Sequence, residues 1–180
     1  MKRVIAIATI FFMTIAPMMA QSINAEKSVV EFKISNMKVN TVKGSFHGMK
    51  GMVNFNPHSP NASNFDVCID ASTVNTGIKK RDEHLLKEDF FDVENYPSIC
   101  FKSTQITQSE EWYIVQGKLT MHGVTREVKI PFKFSGNEFK GTLNINRLDY
   151  KLGEGTGTFM VANEAEITIT CIVNDKISHL

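Results

Sequence analysis

The sequence has 180 residues, of which 42% are hydrophobic, 20 are basic and 19 are acidic, and its formal net charge is +1. This even balance of charge argues against a nucleic-acid-binding protein and against attachment to an anionic membrane surface. The length is that of one ordinary domain with its own hydrophobic core.

The first residues have the pattern of a secretory signal peptide. Lys2 and Arg3 precede an apolar stretch over residues 4–16, and this stretch is too short to cross a bilayer as a helix. We predict a signal peptide over residues 1–20, which directs the protein to the periplasm or to the cell exterior.

Two small residues offer cleavage sites, with Ala20 preferred over Ala25. Cleavage after Ala20 leaves one domain, residues 21–180, with 18 basic and 19 acidic side chains. We expect no stable membrane insertion of this domain, and the sequence leaves open whether it is a monomer or a homodimer.

The dominant pattern of this domain is an alternation of apolar and polar residues, which predicts β-strands. Eight candidate strands lie near residues 28–35, 40–56, 64–72, 98–108, 111–121, 124–135, 137–148 and 163–174. Short turns such as His122-Gly123 favour pairing in sequence order. In the second candidate the alternation changes phase over residues 47–51, which predicts a bulge or a sharp bend.

Residues 73–97 interrupt the alternation. Residues 78–87 have the composition of a short helix with Asn75 or Thr76 as its N-cap. We predict a short helical insertion near residues 77–96 that covers an open end of the sheet.

Eight antiparallel strands with one apolar face either close into a barrel or stack as two sheets. A barrel is favoured because the strands are long and closure removes exposed edges. The predicted fold is therefore all-β, an eight-stranded antiparallel barrel with a short helical insertion. The interior of such a barrel is either filled by side chains or holds one slender ligand, and the sequence does not decide between these.

The three cysteines differ in their strand faces. Cys171 shares a face with Ile167 and Ile169, which predicts a buried thiol. Cys68 and Cys100 alternate with apolar neighbours and so point outward. A disulfide between them requires neighbouring strands with Cβ atoms about 4 Å apart, and the sequence leaves it open.

Motifs for metal, cofactor or catalytic chemistry are missing from the sequence. The five histidines have no metal-ligand spacing, and there is no nucleophile motif, phosphate loop or dinucleotide fingerprint. We expect no metal, no cofactor and no catalytic residue. One alternative is an enzyme for a lipid or quinone-like substrate with Asp82, His84 and His122 as acid or base groups. Another is a filled barrel with a structural or partner-binding role.

Polar residues near the predicted helix and strand ends are candidates for contact with a polar ligand head group. They are Arg81, His84, His122, Arg126 and Arg147. Each also has a structural interpretation, such as a solvated helix face, an exposed turn or an ion pair between Arg147 and Asp149.

The chain resembles the YceI-like family of secreted, polyisoprenoid-binding barrels. The resemblance rests on Gly-Lys-Leu-Thr-Met-His-Gly-Val-Thr-Arg over residues 117–126 and on further segments in family order, residues 44–46, 69–72, 75–77, 81–85, 89–92, 96–99, 101–104 and 145–150. Asn36 and Lys151 depart from the family pattern, in which a histidine and a glycine are common.

This resemblance implies a lipocalin-like barrel whose apolar channel holds an isoprenoid or a fatty-acid-like amphiphile, generally in the periplasm and without a settled catalytic activity. Combined with strand parity, it predicts a carrier whose channel is lined by Phe32, Phe46, Val67, Ile69, Phe101, Val115, Leu119, Ile130, Phe132, Leu143 and Ile145, with Phe91 as a cover.

Overall fold

The computed structural model describes residues 21–36, 40–157 and 160–174. The predicted signal peptide lies outside the described residues, so it stays a prediction. The described chain is all-β, with one antiparallel sheet and a single short α-helix, α1 (Lys79–Leu85). The strands are β1 (Gln21–Ser22), β2 (Val29–Asn36), β3 (Asn40–Phe46), β4 (Lys50–Asn54), β5 (Asn64–Asp70), β6 (Ser98–Ser109), β7 (Trp112–Met121), β8 (Val124–Ser135), β9 (Glu138–Asn146) and β10 (Val161–Ile172).

The sheet curls around an interior, with the strand order β1-β4-β5-β6-β7-β8-β9-β10-β2-β3. Strands β4 to β10 pair in sequence order, as the short turns predict. The curl is evident at β1, which pairs with β4, while Ile23 just beyond it bridges to Val173 after β10. At the other edge Ser45 in β3 exchanges two backbone hydrogen bonds with Asn75, at 2.9 and 3.0 Å.

The structure has ten strands where the sequence predicts eight. The candidate over residues 40–56 is two strands, because the chain turns at Gly48, whose φ is +72°. β3 and β4 then lie at opposite ends of the strand order. The phase change is therefore a break between strands and not a bulge within one. The other added strand, β1, has two residues, too few to show alternation.

Helix α1 lies within the predicted insertion, but the predicted caps are wrong. Its N-cap is Ile78, which makes no side-chain cap bond. The Asp82 carboxylate accepts hydrogen bonds from the Thr76 hydroxyl and, at 2.9 Å, from the Thr76 N–H. Thr76 thus acts as a donor to the helix and not as its cap.

Aromatic rings fill one end of the interior. The ring of Phe55, just after β4, lies at the centre of this cluster, and its centroid is 5.0–6.0 Å from those of five other rings. Most of these pairs are edge-to-face, which is a favourable arrangement of ring quadrupoles. The five rings are Phe65, Tyr113, Phe132, Phe134 and Phe139. We call this group the aromatic floor.

The structure joins Cys68 and Cys100, which are directly opposite on β5 and β6, in a disulfide. Cys171 is buried, as its strand face predicts, with 7% of its surface exposed. Burial raises the pKa of the Cys171 thiol to about 11. The native protein therefore has one free thiol among its described residues, and that thiol is protonated and unreactive near neutral pH.

We expect alkylation of the unfolded, non-reduced protein to modify one cysteine, and alkylation after reduction to modify three. The disulfide closes a loop with a sequence separation of 32 residues. The chain-entropy model for such a loop gives a loss of about 3–4 kcal/mol in the free energy of unfolding when both cysteines are replaced. Urea denaturation of the Cys68→Ala/Cys100→Ala protein measures it. Three modified cysteines without reduction would disprove the bridge.

Candidate functional site

A cavity of about 250 Å³ lies inside the curled sheet. Its wall consists of inward-facing residues from β2 to β10, such as Phe46, Val67 and Leu119. Among the described residues that line it, Arg147 is the one with a charged side chain. A space lined by so few polar groups favours hydrocarbon over a polar ligand.

The cavity has an aromatic floor and an apolar cover. Phe65 and Phe132 belong to the floor and also line the cavity. At the opposite end, the insertion that contains α1 contributes Leu85, Phe90 and Phe91 to the lining. The Phe91 ring meets the Phe46 ring edge-to-face, with 5.2 Å between centroids. We call the segment over residues 77–97 the cover.

All twelve residues predicted for the apolar channel line this cavity. They are Phe32, Phe46, Val67, Ile69, Phe91, Phe101, Val115, Leu119, Ile130, Phe132, Leu143 and Ile145. Whether they contact a ligand stays a prediction. The prediction left out Ala165, Ile167 and Ile169 on β10, which also line the cavity and which strand alternation would have identified.

Arg147 lies at the cover end of the cavity and has 4% of its surface exposed. It follows β9 directly, in a short 3₁₀ helix over Arg147–Tyr150. Its guanidinium donates to backbone carbonyls all around it. The acceptors are the carbonyls of Leu152 at 2.7 Å, Gly153 at 2.6 Å, Thr156 at 2.9 Å, Ala162 at 3.0 Å and Val161 at 3.3 Å, with the Asn163 side chain at 3.4 Å.

These contacts give Arg147 a structural role that the sequence did not show. The predicted ion pair with Asp149 is wrong, because the guanidinium binds carbonyl oxygens that come close only in the folded chain. Burial lowers the pKa of Arg147, but an arginine keeps its charge in proteins. The cover end of the cavity therefore has a positive charge whose described partners are all neutral.

The other predicted head-group residues bind neighbouring parts of the fold. In the cover, Arg81 donates to the Thr76 hydroxyl at 2.7 Å and to the Thr76 carbonyl at 3.0 Å. His84 Nε2 lies 2.8 Å from an oxygen of Asp89. Neither Arg81 nor His84 lines the cavity.

His122 and Arg126 both contact the backbone of the 3₁₀ helix that begins at Arg147. His122 Nδ1 lies 3.1 Å from the Tyr150 carbonyl oxygen. Arg126 Nε donates to the Asp149 carbonyl at 3.3 Å. The structure thus places these two residues together beside the cover end, outside the cavity itself.

The acid or base groups of the enzyme hypothesis have separate partners. Asp82 binds Thr76, His84 binds Asp89, and His122 binds the Tyr150 backbone. None of the three lines the cavity. In the described ranges, no three His, Cys, Asp or Glu side chains are grouped as metal ligands, and no helix has the length and hydrophobicity to span a membrane.

The fold and the cavity define a class of protein in which a curled antiparallel sheet surrounds an apolar cavity. Residues 22–173 match the YceI-like domain. The chain belongs to the YceI-like family.

Curated relatives agree with this assignment. A UPF0312 protein of Yersinia enterocolitica and one of Pectobacterium carotovorum are each 32% identical over 111 residues. Each alignment covers 62% of this chain and 58% of the relative. The chain thus spans less than two thirds of the length of these relatives.

Solved structures show the same fold. BcnA of Burkholderia cenocepacia is 27% identical, with a TM-score of 0.78 over 84% of this chain and 99% of that one. The Campylobacter jejuni YceI protein is 25% identical, with a TM-score of 0.70 over 77% and 88% of the two chains. A polyisoprenoid-binding domain from Saccharophagus degradans, implicated in plant cell wall breakdown, has a TM-score of 0.64 at 17% identity over 86% and 98%.

We expect the Arg147→Met substitution to lower the free energy of unfolding by about 3–5 kcal/mol, the cost of removing one side of a buried charged cluster. The surrounding carbonyls would be left buried without donors. The matched control is Arg126→Met, which removes one hydrogen bond of an exposed side chain and should cost about 0.5 kcal/mol or less. Urea denaturation compares them, and equal losses would contradict this role of Arg147.

Proposed function

We propose that this protein is a periplasmic or secreted binding protein that sequesters an isoprenoid or a fatty-acid-like amphiphile inside the curled sheet, as a lipocalin-like barrel does. The observation that carries the proposal is the cavity, with its wall of hydrocarbon side chains and one charged residue. The polyisoprenoid-binding domain with the same fold supports this ligand class.

The driving force would be the removal of hydrocarbon from water. Each methylene transferred is worth about 0.8 kcal/mol, so a chain of about 16 carbons gains on the order of 10 kcal/mol before ordering costs. Because dispersion and apolar transfer have little directionality, selectivity for the tail is loose. A polar or anionic head at the cover end would be favoured by the positive charge of Arg147.

The alternative of a wholly filled interior is disfavoured by the cavity. The aromatic floor occupies one end only, and the space between the floor and the cover stays open. The Cys68–Cys100 disulfide supports a location outside the cytosol, where disulfides persist. We propose that the protein carries its ligand and does not store it. The proposal covers both a monomeric and a homodimeric carrier.

We expect native mass spectrometry of protein purified from its own periplasm to detect a bound molecule of lipid mass. Delipidated protein should then bind saturated fatty acids of increasing length with a dissociation constant that falls about fourfold per added methylene. The fall should stop once the cavity is full. Calorimetric titration measures the series, and affinities independent of chain length would contradict an apolar binding site.

A cavity-filling variant tests the position of the site. Leu119 lines the cavity, whereas its neighbour Lys118 on the same strand is exposed. We expect Leu119→Trp to weaken fatty-acid binding at least tenfold by occupying the space of the ligand. Lys118→Trp should leave it unchanged. Thermal unfolding confirms that both variants are folded, and equal affinity of the two folded variants would place the site elsewhere.

A further inference from the structure

The wall of the curled sheet is interrupted between β8 and β9. β9 pairs with β10 along its whole length, but it pairs with β8 only over residues 132–135. On its other side β8 pairs with β7 from Val124 to Phe132. Residues 124–131 of β8 and 142–146 of β9 are therefore neighbouring strand edges without a hydrogen-bonded ladder between them.

Pro131 accounts for the end of this ladder. His122 and Gly123 form a two-residue turn with positive φ at both positions, 49° and 72°, so Met121 and Val124 are a hydrogen-bonded pair and every second pair after them is bonded. By this alternation the nitrogen of Pro131 points away from β7 and toward β9. A proline nitrogen has no hydrogen to donate. The ladder thus lacks its donor at the position next to its last observed pair.

The two unpaired edges border an open slot of about 740 Å³. Consecutive residues line it, 126–129 on β8 and 142–146 on β9, so inward-facing and outward-facing positions both take part. Its lining therefore includes the edges of both strands, together with Asp149 and Tyr150 of the 3₁₀ helix and Glu166 on β10. Leu143 and Ile145 line the slot and the cavity alike, so the two spaces are adjacent at these residues.

Described residues lie at both ends of the interior. The aromatic floor fills one end, and Leu85, Phe90 and Phe91 of the cover line the other. The cover is also hydrogen-bonded to the segment that follows the 3₁₀ helix, because the Asp89 carbonyl accepts a hydrogen bond from the Gly153 N–H at 2.6 Å. Passage through the slot requires neither the floor nor the cover to move.

The cavity is too small to hold a long ligand completely. At about 250 Å³ it is smaller than the roughly 300–1,000 Å³ of typical ligand pockets. A long hydrocarbon chain would therefore extend beyond it, and the slot adjoins it at Leu143 and Ile145.

One residue of the slot lining has a buried polar group without a partner. Tyr150 lines the slot and has 2% of its surface exposed. Its hydroxyl has no hydrogen-bond partner, which is costly for a buried donor. Burial raises the pKa of this hydroxyl, which keeps it in the protonated, donating form.

We propose that the slot between β8 and β9 is a side entrance through which the hydrocarbon chain of an amphiphile reaches the cavity. The part of the chain that exceeds the cavity lies in the slot, and the polar head accepts a hydrogen bond from the Tyr150 hydroxyl. This inference rests on the proposed function, because it assumes that a lipid occupies the cavity.

The experiment closes the slot with a covalent bridge. Lys129 and Asn144 are exposed and would be opposite each other if the register of Phe132 with Gly141 continued. The Lys129→Cys/Asn144→Cys protein is treated with bismaleimides of increasing spacer length, and intact mass identifies the bridged product. The native cysteines do not interfere, because two form the disulfide and Cys171 is buried.

The matched control bridges the same two strands where they are already paired. Lys133 and Lys140 are opposite each other in the ladder and exposed, so the bridged Lys133→Cys/Lys140→Cys protein has the same chemistry without closing the slot. Stopped-flow fluorescence with cis-parinaric acid, a fluorescent long-chain fatty acid, measures association and dissociation for both bridged proteins and for the wild type.

We expect the bridged slot to slow association and dissociation at least tenfold, because both use the same passage. The control should keep the wild-type rates. Wild-type rates in the bridged slot protein, or equal slowing in the control, would overturn the side entrance and leave the proposed function intact. Failure of every reagent to bridge the slot would overturn its geometry, whereas a wild type that binds no cis-parinaric acid would overturn both proposals.

Discussion

The fold depends on the burial of one apolar face of a long antiparallel sheet. Alternation gives each strand one hydrophobic side, and this single sheet of ten strands shields that side from water by curling around it. The side chains inside are not distributed evenly. Six aromatic rings pack against one another at one end, and the cavity lies between them and the cover.

Arg147 lines the cavity and also binds the chain segments at its cover end. Its guanidinium holds the carbonyls of residues 152, 153 and 156 before β10 and of residues 161 and 162 at its start. Gly153 in turn donates to Asp89 in the cover. A buried charge is expensive unless it is hydrogen-bonded, and here the hydrogen bonds to the carbonyls offset that cost and fix the position of these segments. Stability and the shape of the cavity are therefore linked through one side chain.

The slot between β8 and β9 shows how a single proline can interrupt a continuous sheet. A central strand rarely tolerates proline, because the ladder loses a donor there. Strand β8 contains Pro131 at the position where pairing with β9 would have to continue. The free edges of the two strands would be an aggregation hazard if they were long and flat. They are instead short and partly occupied by the 3₁₀ helix, through the contact of Arg126 with Asp149.

The sequence pattern by itself determined the all-β class and, through its short turns, the pairing of β4 to β10 in sequence order. It also determined which residues line the cavity and that Cys171 is buried, because period-two alternation places each side chain on one face of a strand. Tertiary structure alone decided the break at Gly48, the disulfide, the carbonyl partners of Arg147 and the division of the interior into floor and cavity. These features depend on which distant segments meet. Strand faces can be read from neighbouring residues, whereas the partner across a curled sheet depends on the register and packing of the whole chain.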